Sequence, residues 1–199
     1  MMYIFEGIDG AGKDTLIAKI KQTVSIPVFN GFNVYDQSEF THIHPFVGDK
    51  KEWQKAIGFE IVNYCKQAQY SVIINRFTWS EIVYSKVLRN QADTAWYWDI
   101  MEKELQGIAK IIYVDVTAEE AEKRIKKSGR HKSKLVLSKL NEMRKEFWNL
   151  IETTKLPVVL INSMTLYDNK SYLDDPRLFR EVCDGILYKN DFKYGSVIL

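Results

Sequence analysis

A chain of 199 residues, nearly half of them apolar, can bury the core of one domain and carries no composition shift that marks a second. Its formal net charge of +2 excludes the strong imbalance of a dedicated nucleic-acid or membrane-surface protein, so local charge clusters matter more than the total. Cys65 and Cys183 are too few and too far apart for a disulfide framework or a metal knuckle, no apolar run reaches a membrane span, and no basic leader precedes the first strand; the chain reads as cytosolic.

Met2 to Leu16 combine a short apolar strand, a glycine-rich turn and the first turn of a helix. Gly7, Gly12 and Lys13 have the Gly-x-x-x-x-Gly-Lys spacing of a phosphate-binding loop. Glycine lacks a Cβ, so the backbone from Gly7 through Gly10, Ala11 and Gly12 can turn its N–H groups toward an anion. The open helix N-terminus and the Lys13 ammonium add positive potential, and the expected ligand is the phosphate chain of ATP. Asp14 stands where a Ser or Thr commonly follows the lysine, with a hydroxyl at Thr15. Both offer hard oxygens to Mg²⁺, although Asp14 also suits the first turn of a helix by its charge alone.

Leu16, Ile17, Ile20 and Val24 predict a helix ending before Pro27, and Val28 to Asn30 a short strand. Residues 31 to 51 read as a long active-site loop, whose His42 and His44 lack a third metal ligand and are not taken as a site. A buried helix is expected over 52–69, then a central parallel strand, Val72-Ile73-Ile74-Asn75, that ends at polar Arg76. Helices follow over 78–88 and 94–105; the aromatics Trp96, Tyr97 and Trp98 of the second suit core or a dimer surface. Ile111 to Val116 form the next strand, and Thr117 with Glu120 predicts a capping box.

The helix so begun runs into the dense basic cluster Lys123 to Lys134, which suits either a solvated helix end or a mobile phosphate-gripping lid with Arg124 and Arg130. A long amphipathic helix through Leu140, Met143, Phe147 and Ile151 precedes the strand Pro157 to Asn162. In the tail, Asp175-Pro176 begins a short helix stopping near Gly185, and 194–199 suit an edge strand. Alternating strands and helices give an α/β domain, a mostly parallel sheet covered on both faces.

Phe5-Glu6-Gly7-Ile8-Asp9-Gly10-Ala11-Gly12-Lys13 resembles the phosphate loop of thymidylate kinases and of the wider nucleoside and nucleoside-monophosphate kinases. Asn75-Arg76-Phe77-Thr78-Trp79-Ser80, with Tyr84 beyond, resembles that family's Asp-Arg-Tyr-x-x-Ser segment, and Arg124 to Arg130 its lid. The resemblance implies a single P-loop NTPase-type domain over 1–199, a homodimer, and Mg²⁺ held with help from Asn75. It implies that Asp9 bonds the acceptor's 3′-hydroxyl or a phosphate, and that Arg76 bridges donor and acceptor phosphates. It further implies that Phe59 stacks on the base, that Ser80 and Tyr84 lie at the acceptor, and that Arg124 and Arg130 close over the donor. Three departures change the pocket: Asn75 replaces the strand-end Asp, Asn63 replaces the base-reading Arg, and no Thr-Arg-Glu-Pro stretch follows the second strand.

The expected reaction is transfer of the γ-phosphoryl group of ATP to a deoxynucleoside monophosphate, with Lys13, Arg76, Arg124 and Arg130 stabilising the transfer. A nucleoside acceptor is the nearest alternative and would call for a base, Glu6 or Asp9. A base or terminus within DNA, suggested by the basic cluster, and a catalytically silent nucleotide-binding regulator, suggested by Asp14 and Asn75, stand behind it.

Overall fold

A computed structural model describes residues 1–30, 50–68, 70–90, 95, 97–129, 132–164 and 175–187. Five strands form one fully parallel sheet in the order β2-β3-β1-β4-β5: β1 Met2–Glu6, β2 Val28–Asn30, β3 Val72–Asn75, β4 Ala109–Asp115 and β5 Val158–Asn162. Every residue of β1 is buried, as a central strand covered on both faces requires. Full burial of Ile4 and Phe5 contributes about 1.5–3 kcal/mol for each side chain. The short edge strand β2 exposes Phe29 and Asn30, and β5 exposes its last residue, Asn162.

The helices are α1 Lys13–Thr23, α2 Lys50–Gln67, α3 Thr78–Arg89, α4 Glu102–Leu105, α5 Ala118–Lys127, α6 Lys134–Ser138, α7 Leu140–Thr153 and α8 Pro176–Leu187. The tail is tied to the centre of the fold. Helix α8 packs on α1, and the Tyr3 hydroxyl donates to the Leu187 carbonyl. It also runs past the stop expected near Gly185, because Cys183, Ile186 and Leu187 are all buried.

Two expected features differ. The helix foreseen over 94–105 is a π-helical turn, Tyr97–Met101, that continues into α4. Its aromatic stripe is divided: the buried Tyr97 hydroxyl accepts from Trp79 Nε1 at 2.6 Å, whereas Trp98 is half-buried. Tyr97 is therefore core and not dimer surface. The capping box of α5 is half-made: Thr117 Oγ1 accepts from the Glu120 amide at 3.3 Å, but the Glu120 carboxylate turns to Arg124. The loop 31–51 up to residue 49, with His42 and His44, and the Trp96 and 194–199 expectations lie outside the described residues.

The sheet sets out the polar residues. Apolar runs fill the strands, and the carboxyl ends of all five carry Asn30, Asn75, Glu6, Asp115 and Asn162. The order reverses at β1, which pairs with β3 on one side and β4 on the other, so a crevice opens above Glu6.

Candidate functional site

The turn between β1 and α1 lies in that crevice and has the backbone a phosphate loop needs. Gly7, Gly10 and Gly12 have φ of 143°, 80° and 93°. A Cβ on Gly7 would stand 2.5 Å from the Val114 carbonyl oxygen, and one on Gly10 would stand 2.5 Å from that of Ala121. Both positions therefore require glycine twice over, for dihedral and for space. Gly12 precedes α1, whose first amides face the crevice.

Lys13 is buried, and its ammonium donates to the Gly7 carbonyl at 2.7 Å and the Ile8 carbonyl at 2.9 Å. Burial, with the nearby charge of Arg76, draws its pKa down to about 7 against the opposing pull of Asp9, Glu6 and Asp14. Arg76 follows the last residue of β3 with a left-handed φ of 65°. Its guanidinium lies 2.6 Å from Asp9 Oδ1 and 3.3 Å from Ser80 Oγ, and it sits over the Tyr84 ring at 5.5 Å. Asp9 also meets Lys132 at 3.2 Å. Burial alone would raise the Asp9 carboxyl, but Arg76, Lys13 and Lys132 outweigh it and hold its pKa below the ordinary value.

Glu6 is fully enclosed. It accepts from the Phe77 amide at 2.8 Å, the Ser80 amide at 3.3 Å and the Ser80 hydroxyl at 2.5 Å. Burial lifts its pKa despite those bonds. Neither carboxylate expected as a base is free to act as one: Glu6 holds a helix start, and Asp9 holds two cations.

The cavity above these groups measures about 490 Å³, and Lys13, Asp14, Thr15, Asn75, Arg76 and Lys132 help to line it. Asn75 Nδ2 donates to Asp14 Oδ1 at 2.9 Å, while Asn75 Oδ1 is buried without a hydrogen-bond partner. That bond fixes the amide orientation, since the reverse would set an oxygen against the carboxylate. Among the described residues no three His, Cys, Asp or Glu gather as a self-sufficient metal cage. Asp14 and Thr15, which line the cavity, instead offer hard oxygens that fit a small cation taking its other ligands from phosphate and water, as Mg²⁺ does.

Other expected residues divide. Ser80 and Tyr84 both meet Arg76. Phe59, half-buried against the core, and Asn63, exposed, stand on α2 and do not border the cavity. Arg124 does border it, but its Nε donates to Glu120 at 3.0 Å and a second nitrogen to Ser163 at 3.0 Å. Arg130 lies outside the described residues. Within the basic cluster Lys123 pairs with Glu120 and Lys126 with Glu122. Lys132 belongs to the same basic cluster, and its contact with Asp9 is not legible from the cluster itself. Ser163 and Met164, after β5, also went unnoticed; only the polar end of that strand pointed to them.

Known proteins resemble the chain along most of its length. A family model described as "Deoxynucleoside kinase" matches residues 4–184. A probable thymidylate kinase of Sulfurisphaera tokodaii is 27% identical over 172 residues, 81% of this chain and 86% of its own. Among solved structures, deoxyadenosine kinase from M. mycoides with products dCMP and dCDP superposes at a TM-score of 0.59, with 21% identity over 94% of this chain and 100% of that one. The YorR protein of Bacillus subtilis, in complex with phosphorylated GDP, gives 0.62 with 18% identity over 92% and 96%. At those identities the structures speak for the fold.

Proposed function

The chain belongs to the deoxynucleoside kinase family, and from that premise we propose that it transfers the γ-phosphoryl group of ATP to a deoxynucleoside monophosphate. It is a P-loop phosphotransferase of nucleosides or nucleotides; the proposal concerns donor, metal and acceptor. The observation that carries it is the state of the two carboxylates nearest the loop. A nucleoside hydroxyl needs a base to take its proton, and Glu6 and Asp9 are both committed elsewhere. A monophosphate oxygen is already an anion, and a half-buried cation, Arg76, lines the cavity it would enter.

The roles follow from the geometry. The loop amides and the start of α1 bind the donor phosphates. Lys13 turns from the Gly7 and Ile8 carbonyls to the phosphate oxygens. Arg76, pinned by Ser80 and facing Asp9, orients the acceptor in line, and Lys132 closes from the opposite wall. Asp14, Thr15 and Asn75 would hold Mg²⁺, which when bound neutralises charge on the donor phosphates. Arg124 and Arg130 on the lid, Phe59 and Asn63 at the base, and a homodimer complete the reading.

A deoxynucleoside acceptor is the second reading. The family's description and the deoxyadenosine kinase neighbours favour it. ADP release from Mg-ATP, measured across deoxynucleosides and their monophosphates, separates the two. Turnover on a monophosphate supports the first reading, and turnover on nucleosides alone replaces it with the second.

A further inference from the structure

Arg76 has an unusual placement for a working cation. It occupies a left-handed backbone conformation that costs a non-glycine residue about 1–2 kcal/mol, and it lies between a strand and a helix where the chain could relax. Something must hold it there. The residues that follow it are fastened to one buried group: the amides of Phe77 and Ser80 and the Ser80 hydroxyl all donate to the carboxylate of Glu6. Phe77 precedes the first residue of α3 and supplies no side-chain cap of its own. Glu6, projecting from the neighbouring strand, takes that place by accepting from the first amides of the helix start. The Ser80 hydroxyl then gives its proton to Glu6 and offers its lone pair to Arg76 at 3.3 Å. The Arg76 amide donates to the Phe5 carbonyl at 2.9 Å, so both ends of the turn are tied to β1.

We propose that Glu6 is a positioning residue for phosphoryl transfer, its buried carboxylate fixing the start of α3 and, through Ser80, the direction of the Arg76 guanidinium. Glu6 touches no substrate, since it is enclosed beneath the loop. It acts by locking a strained turn beside Lys13 and Arg76, which line the cavity above it. The proposal rests on the reading of Arg76 as the residue that orients the acceptor.

Two substitutions test it. Glu6→Gln preserves the shape and an acceptor for the two amides but removes the charge and reverses the hydrogen bond with Ser80. Ser80→Ala leaves the amide bonds intact and cuts only the link to Arg76. Both are compared with Arg76→Lys by steady-state kinetics, after thermal melting has established that each is folded. The expected result is a fall in kcat of at least tenfold for Glu6→Gln and a smaller fall for Ser80→Ala, with KM for ATP changed less than about threefold. In the Arg76→Lys background Glu6→Gln should add less than threefold, because the group it positions is already altered. If both variants keep kcat within twofold, or if Glu6→Gln lowers kcat by the same factor with Arg and with Lys at 76, the proposal is overturned. Should Glu6→Gln not fold, the Ser80→Ala result decides alone. If Arg76→Lys itself turns over normally, it is the role of Arg76 that fails.

Discussion

Asp9 Oδ1 lies 2.6 Å from the guanidinium of Arg76, while its other oxygen meets Lys132 at 3.2 Å, so one carboxylate on the loop after β1 joins the end of β3 to the chain beyond α5. Both cations border the cavity. A phosphate entering there finds them assembled, with Asp9 holding each at a fixed distance.

Arg76→Ala is expected to lower kcat by about 10²–10³-fold, the usual loss when one preorganised charged donor is removed. KM for ATP should change far less, because the proposed donor site lies at the loop amides and Lys13. Initial-rate kinetics at saturating ATP checks it; an unchanged kcat would remove Arg76 from the mechanism.

Lys13 makes binding pH-dependent. With a pKa of about 7 in the free protein, the lysine is mostly neutral at pH 8, and donor phosphates should restore its charge. ATP binding at pH 8 should therefore take up about 0.9 of a proton, and at pH 6 close to none. Calorimetry in two buffers of different ionisation enthalpy measures the uptake, and Lys13→Ala should abolish it. Stability carries the same sign. The folded pKa lies below the unfolded one, so between about pH 7 and 10.5 the unfolded chain holds a proton that the folded chain has shed, and this contribution rises with pH across that window.

Much of this site was legible in the sequence because its parts are local. The loop is contiguous, its glycines are spaced by the turn they build, and the apolar runs of β1 and β3 end where polar residues must face a crevice. What remained hidden arises between distant segments. Glu6 could be named as a carboxylate, but its bonds to Phe77 and Ser80 cross 71 and 74 positions. Nothing in the basic cluster revealed that Ser163, 39 residues on, would engage Arg124. The π turn at Tyr97 escaped because its apolar residues also satisfy an ordinary helix.

Gly10→Ala should destabilise the fold by about 2–4 kcal/mol, from positive φ together with a methyl pressed against the Ala121 carbonyl. Urea denaturation reads the loss, and a shift below about 0.5 kcal/mol would mean that the turn relaxes more freely than its packing suggests.

Asp14→Ala is expected to raise the Mg²⁺ concentration for half-maximal turnover by about tenfold, since it removes a candidate oxygen ligand and the hydrogen-bond partner of Asn75. Binding of a non-hydrolysable ATP analogue without Mg²⁺ should weaken little. An equal loss with and without the ion would make Asp14 a residue of the helix start and not of the metal.

The most direct measurement incubates the protein with γ-labelled ATP, Mg²⁺ and an equimolar mixture of the common deoxynucleosides and their monophosphates, then identifies the labelled product by mass, with Lys13→Ala as the control. A labelled deoxynucleoside diphosphate, absent from the control, is the predicted result. Label only in newly formed monophosphates would assign the acceptor to the nucleoside, and label recovered solely as inorganic phosphate would contradict the account.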